Sequence, residues 1–446
     1  MKTRAHFDWR VIVGLVLLFA GIFIAVYHTP RQNFFQFLFC MLPAFGGFAL
    51  LLNSLKSLNW RWILTAAVFI RLALLFSSPQ LSDDYYRFAW DGRISANGGN
   101  PYLHLPSELT SSQQQQFDLN KELFQNLNSP DYYTVYPPLN QLMFAGAALL
   151  ANGDVELEIL FLRLIIVLFE VVTILLMMHL LSFFQKSRKL AAIYALNPLV
   201  IVELTGNLHF EGVELAFLLG ALLLCFKRNF LAAGLLFGAA VSIKLLPLMF
   251  LPFLLGEMKV GAFFKLAFSA FLSFAILFVP FYSTELFVNL WSSIDLYFRY
   301  FEFNASFYFL IREIGEWFTG YNIIRTAGPV IAGSVTVVLL IFAFQKKWLR
   351  GRLLDKLLFA LLLYYLLASI VHPWYVVLLV AISVFTRWHF PLWWSGTVLL
   401  SYAFYHNDSF QISPLMLWLE YGVLIFALLW EGIAQKKFST FPQKVS

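Results

Sequence analysis

Between Leu81 and Arg93 the chain reads Leu-Ser-Asp-Asp-Tyr-Tyr-Arg-Phe-Ala-Trp-Asp-Gly-Arg, which gathers Asp83, Asp84 and Asp91 with Arg87 and Arg93 in eleven residues. Carboxylates in such a setting can take a proton from a weakly acidic group, and guanidinium groups can hold an anion. A helix capped by Ser82 would set Asp84, Arg87 and Asp91 on one face at three- and four-residue spacing and turn Asp83 elsewhere. Tyr85, Phe88, Ala89 and Trp90 would let that helix lie on a bilayer surface, its carboxylates just above the lipid headgroups. Asn97-Gly98-Gly99-Asn100-Pro101 ends it. The plainer alternative is a solvated face, in which Asp83 and Asp84 complement a helix N-terminus and Arg87 pairs with a neighbouring carboxylate.

What favours chemistry is the company of this segment. Glu203, Asn207, His209 and Glu211, then Lys244, then His372-Pro373-Trp374-Tyr375 interrupt otherwise apolar stretches. Ionisable groups within or beside hydrocarbon are unfavourable unless they line a cavity, so each marks a candidate site. Singly, His209 and His372 read as interface residues and Lys244 as a snorkelling side chain. Jointly they read as one cavity, with Arg71 just below the acidic loop able to join it.

The elements that must position these residues are membrane helices. Of 446 residues, 60% are hydrophobic and 13% charged, about half the charge usual in soluble domains. Apolar stretches predict spans near 11–27, 34–52, 62–77, 159–182, 190–205, 211–226, 229–242, 244–255, 262–281, 328–344, 353–370, 373–386, 391–405 and 413–433, an all-α polytopic bundle of about 12–14 spans. Lys2, Arg4 and Arg10 precede the first stretch as in a signal sequence, but His28-Thr29-Pro30-Arg31 offers no cleavage site, so it should remain as a helix. With both termini cytoplasmic, Lys56, Arg61, Lys186, Arg188, Lys189, Lys227, Arg228, Lys259, Lys346, Lys347, Arg350, Arg352, Arg387, Lys436 and Lys437 all fall inside. The net charge of +6 is thus a topology signal and not the footprint of nucleic acid.

Residues 1–446 then form a single integral membrane domain with two extracytoplasmic segments, 78–158 and 282–327, that carry loop helices. Pro137 to Ala151 is too short for a comfortable span and reads as re-entrant or interfacial. Cys40 and Cys225 lie far apart in apolar stretches and imply no disulfide framework.

Ser82-Asp83-Asp84-Tyr85-Tyr86-Arg87 with Trp90-Asp91-Gly92-Arg93, Asn100-Pro101-Tyr102 and Tyr136-Pro137-Pro138-Leu139 resembles the first outer loop of GT-C-fold glycosyltransferases. The match is nearest to bacterial polyprenyl-phosphate-mannose-dependent mannosyltransferases. Asn197-Pro198, Glu203, Gly206-Asn207, His209, Lys244-Leu245-Leu246-Pro247 and His372-Pro373-Trp374-Tyr375 resemble further landmarks of that branch. Glu211 stands where a His-X-Asp motif would place aspartate.

The resemblance implies inverting transfer of a sugar, mannose in that branch, from a polyprenyl phosphate to a hydroxyl of a glycan or glycolipid. The reaction would take place on the outer face of the bacterial inner membrane, with membrane lipids around it. A sugar hydroxyl is too weak an acid to ionise unaided, so a carboxylate must take its proton, Asp84 first and Asp83 second. Asp91 would orient hydroxyls. Lys244, Arg87, Arg93 and His372 are the candidate cations for the leaving phosphate, and Tyr136, Asn207, His209, Glu211, Trp374 and Tyr375 complete the substrate-binding set.

No cofactor is expected, since no nucleotide-binding glycine loop or metal-ligand spacing is apparent. Carboxylates could still hold a divalent ion without a motif. Two rivals stay open. A lipid-linked glycan ligase or polymerase could hold a diphosphate through Arg299, Arg312 and Arg325, and a transporter or flippase would place polar groups along a transmembrane path.

Overall fold

The computed structural model describes residues 8–345, 353–406 and 412–439, the last five as backbone only. Lys2, Arg4, Lys346, Lys347, Arg350 and Arg352 lie outside the described residues, as do the side chains of Lys436 and Lys437. The described chain is helical without named strands; Phe303 and Ile370 form one isolated parallel bridge.

The expected segments form helices with ends close to those read from the sequence: Trp9–His28, Phe34–Asn53, Val155–Phe183, Glu211–Phe226, Phe230–Val241, Val260–Phe278 and Leu353–Leu367 among them. Large side chains such as Phe39, Phe76 and Phe271 are exposed, as lipid contact requires. The chain is therefore an integral membrane protein built as a polytopic helical bundle. Its first two helices pack closely through small residues, since a Cβ on Gly21 would run into the carbonyl of Cys40.

Not every one of the expected 12–14 spans is a single long helix. Among the described residues six helices are long and apolar enough to cross alone, or seven if the bent pair Arg188–Ala195 and Pro198–Gly206 counts as one. The remaining apolar segments are broken or short. Pro198 cannot continue the preceding helix, so the chain bends by 57°. Asn197 then caps the next turn, accepting from Leu199 N at 3.0 Å. The pair ends in a π-helix, Ile201–Gly206. Arg163 satisfies the carbonyls at this end, donating to Thr205 O at 2.8 Å and Gly206 O at 3.2 Å. Phe230–Val241 has 12 residues, about 18 Å of rise, before the chain turns at Lys244.

Polar contacts sort the connections onto two faces. On one, Ser57 Oγ donates to Asp8 at 3.1 Å and Lys189 Nζ to Lys56 O at 3.1 Å, while Lys186 reaches Phe385 O and Lys356 pairs with Glu257. On the other, Arg31 meets Asp83 at 2.5 Å, Asn100 Nδ2 donates to Phe281 O at 2.7 Å and Ser293 Oγ to Tyr133 O at 2.9 Å. The two long loop segments thus share the face opposite the basic connections.

Candidate active site

The acidic helix runs from Asp84 to Ala96, with Ser82 Oγ accepting from Asp84 N at 3.3 Å. It does not lie on the bilayer surface as its sequence suggested. Tyr85 and every residue from Arg87 to Ile94 are buried in protein. Pro138–Ala151 covers one side, with Phe88 and Phe144 stacked at 4.6 Å. The two helices approach so closely that a Cβ on Gly92 would come within 2.6 Å of Phe144 O.

Burial of this helix is possible because its arginines and Asp91 are matched within the protein. Arg87 Nε donates to Asp91 at 2.8 Å and its NH1 to the carbonyls of Ser129 and Tyr132 at 2.9 Å each. Gln141 Nε2 donates to the other Asp91 oxygen at 3.0 Å. Arg93 donates to Glu158 at 2.8 Å and to the carbonyls of Asp118 and Gly153 at 2.9 Å each. These residues build the loop. Asp91, expected to orient hydroxyls, and Arg93, expected to meet phosphate, have their polar atoms committed to the protein, whereas Arg87 keeps its NH2 buried without a partner. Arg71 is likewise removed from the site, buried against Glu170 at 2.8 Å.

The two adjacent aspartates part company. Asp83 turns to Arg31, whose guanidinium also lies 4.8 Å above the Tyr405 ring. Asp84 stays half-buried and accepts from Asn128 Nδ2 at 2.9 Å. Burial holds its carboxyl above the usual aspartate range; His209 and Asn128 pull it down, and Asp83 and Glu211 raise it further.

His209 reaches the same place from the bent pair. Asn207 accepts from Leu81 N at 3.3 Å and donates to Glu203 at 3.4 Å, tying the acidic loop to the pair. Leu208 follows with φ of +64°, a left-handed conformation that costs a leucine about 1–3 kcal/mol. It turns His209 back so that Nδ1 donates to Glu203 O at 2.9 Å. Burial opposes charge on this imidazole, but Glu203, Glu211 and Asp84 outweigh it and hold His209 above its ordinary value.

Glu211 opens the following helix and pairs with Lys244. The Lys244 side chain is 31% exposed; its ammonium lies 4.3 Å above the Tyr375 ring, and Tyr375 shares a hydroxyl–hydroxyl bond with Tyr297. Trp374 is stacked at 3.7 Å on His209 and at 4.2 Å on His372. Burial, then the positive charges of His209 and Lys244, push His372 down to about 3. That direction favours the neutral imidazole and weighs against His372 as the cation for the leaving phosphate. Tyr136 packs edge-on against Phe88 at 5.0 Å, within electrostatic reach of Asp84 and Glu211.

Asp84, His209, Glu211, Lys244, His372, Trp374, Tyr375 and Tyr136 therefore converge. Beside them a narrow cleft of about 40 Å³ runs from Tyr297, Tyr364 and Tyr375 to Ile331, Val335 and Leu367. A larger cavity, about 370 Å³, lies at the opposite face around Lys186, Asp355 and Arg387, away from this cluster. Among the described residues no three His, Cys, Asp or Glu side chains come together as a metal-binding group.

Sequence reasoning missed Asn128, Tyr297 and Arg31, which carry no local signal. It also missed Glu214, fully buried with neither carboxyl oxygen bonded. A second carboxylate three residues after Glu211 in an apolar stretch was the available clue. The arginines proposed to hold a diphosphate are engaged elsewhere: Arg299 with Asp295 at 2.7 Å, Arg312 with Glu302 at 2.8 Å, and Arg325 with Tyr300.

A family model described as alpha-(1→6)-mannopyranosyltransferase, N-terminal domain, matches residues 11–259, more than half of the chain. The matched span includes Asp84, His209, Glu211 and Lys244 and ends before His372. No curated protein matches the chain.

Proposed function

Since the chain belongs to the alpha-(1→6)-mannopyranosyltransferase family, and is thus a membrane glycosyltransferase of the mannosyl-transferring kind, we propose that it takes mannose from a polyprenyl phosphate. The acceptor is a hydroxyl of a glycan or glycolipid, and the site faces away from the cytoplasm. The observation that carries this reading is the pairing, in one cluster, of a half-buried carboxylate with a reachable ammonium: Asp84 on one side of His209 and Glu211, Lys244 on the other.

The chemistry follows from that pairing. The acceptor oxygen attacks the anomeric carbon while Asp84 takes its proton, and the bond from that carbon to the phosphate oxygen breaks. Negative charge grows on the departing phosphate, and Lys244 is the cation placed to receive it. A single displacement inverts the anomeric centre, so an α-product requires a β-linked donor. The linkage in the family description points to a primary hydroxyl, O6 of a hexose, as the acceptor. The tyrosine-rimmed cleft supports a lipid donor through its lining, because Ile331, Val335 and Leu367 make one end apolar and Tyr375, at the other, carries the Lys244 ammonium over its ring.

Purified protein given polyprenyl-phosphate mannose, labelled in the sugar, and a mannoside acceptor should release free polyprenyl phosphate and a longer mannoside. A protein that moves the lipid across vesicles without cleaving it would be a flippase, and the proposed reaction would be abandoned.

A further inference from the structure

His209, Trp374, His372 and Phe303 form one continuous column of rings, with successive centroids 3.7, 4.2 and 4.6 Å apart and interplanar angles of 18°, 4° and 25°. The two imidazoles must cover opposite faces of Trp374, because two rings this close to one centroid would overlap on the same face. The column is braced at both ends. His209 Nδ1 is fixed by Glu203 O at 2.9 Å. Phe303 is pinned by backbone bonds of 2.9 Å from its own N to Ser369 O and 2.8 Å from Val371 N to its carbonyl.

With both faces covered, Trp374 cannot serve as a flat platform for a sugar. What the column offers is its edges. His209 Nε2 and His372 Nδ1 are both buried and both without a hydrogen-bond partner, a condition that proteins rarely leave unrelieved. A sugar hydroxyl, which donates and accepts, satisfies either nitrogen whatever its tautomer.

We propose that the edges of this column form the sugar subsite, with His209 Nε2 and His372 Nδ1 each bonding a hydroxyl of a hexose whose anomeric phosphate lies at Lys244. This rests on the donor reading above and adds to it the residues that hold the sugar. Recognition through buried polar edges also makes the site selective, because a sugar lacking the matching hydroxyl leaves a nitrogen unsatisfied.

The test uses the full-length protein in detergent and the β-anomer of mannose 1-phosphate as probe, with binding followed by saturation-transfer NMR and inorganic phosphate as the control ligand. His209→Asn keeps an amide donor where Nδ1 stood and deletes Nε2. His372→Phe keeps the stack and deletes Nδ1. Each should raise the Kd for mannose 1-phosphate roughly tenfold and leave that for inorganic phosphate unchanged, with thermal unfolding curves confirming that the variants are folded.

Wild-type affinity for mannose 1-phosphate in either variant overturns the proposal. So does an equal loss for inorganic phosphate, which would make the column a prop for Lys244, and so does a wild type that binds no mannose 1-phosphate. If the column binds the sugar as stated but the wild type releases no polyprenyl phosphate from lipid-linked mannose, the donor reading fails and the subsite stands.

Discussion

Asp83 and Asp84 differ in what reaches them from elsewhere in the chain. Arg31 holds Asp83 in a partly exposed ion pair, an arrangement typically worth no more than about 1 kcal/mol, whereas Asp84 is turned among His209, Asn128 and Glu211. Asp84→Asn should therefore lower kcat by about 10²–10⁴, while Asp83→Asn should stay within a few-fold of wild type in the same transfer assay. The active form of the base is the ionised one, and burial raises the pH at which Asp84 ionises. The rate should rise with pH through a limb above the usual aspartate range and then level. A wild-type rate in Asp84→Asn would remove it as base. Nothing local to the sequence separates these two aspartates, because the deciding partners lie far away along the chain. The same holds for His372. As a residue type it could be a cation, and only its burial beside His209 and Lys244 favours the neutral form.

At the scale of elements, apolar stretches were readable as helices because hydropathy and breaking residues are local properties. Whether a stretch crosses the bilayer alone was not readable, since it depends on where short helices such as Phe230–Val241 turn. The acidic helix shows the same limit. Its existence followed from Ser82 and the Asn97–Pro101 break, but its burial depended on Glu158, 65 residues from Arg93. That contact gives a prediction. Arg93→Ala leaves Glu158, whose side chain is 2% exposed, without its cation, and should destabilise the protein by about 3–5 kcal/mol. Replacing both by apolar residues of similar size should restore much of that loss, because no charge is then stranded. Thermal unfolding in detergent, single variants against the double, measures the difference. A double variant as unstable as the sum of the singles would mean that Arg93 acts mainly through its bonds to Asp118 and Gly153 carbonyls.

For the whole molecule, the arrangement of contacts on two faces reproduces what the basic residues alone implied. Lys56, Lys186 and Lys189 lie at one face and the acidic loop at the other. Which face meets the cytoplasm is a matter of insertion, and from the positive-inside bias we propose that it is the lysine face. The assignment has a chemical consequence: a donor carrying its sugar on a lipid phosphate is needed where nucleotide sugars are absent, and Asp84 with Lys244 would then work on that side. Ser112 and Ser187 are both exposed, on the acidic-loop segment and on the basic face respectively. With the partly exposed Cys225 replaced by alanine, Ser112→Cys should react with a membrane-impermeant maleimide added to spheroplasts. Ser187→Cys should react only after the membrane is opened. Labelling of both from one side would overturn the two-faced arrangement. Labelling of Ser187→Cys alone from outside would keep that arrangement but turn the protein over, placing Asp84 on the cytoplasmic side and removing the reason for a lipid-phosphate donor.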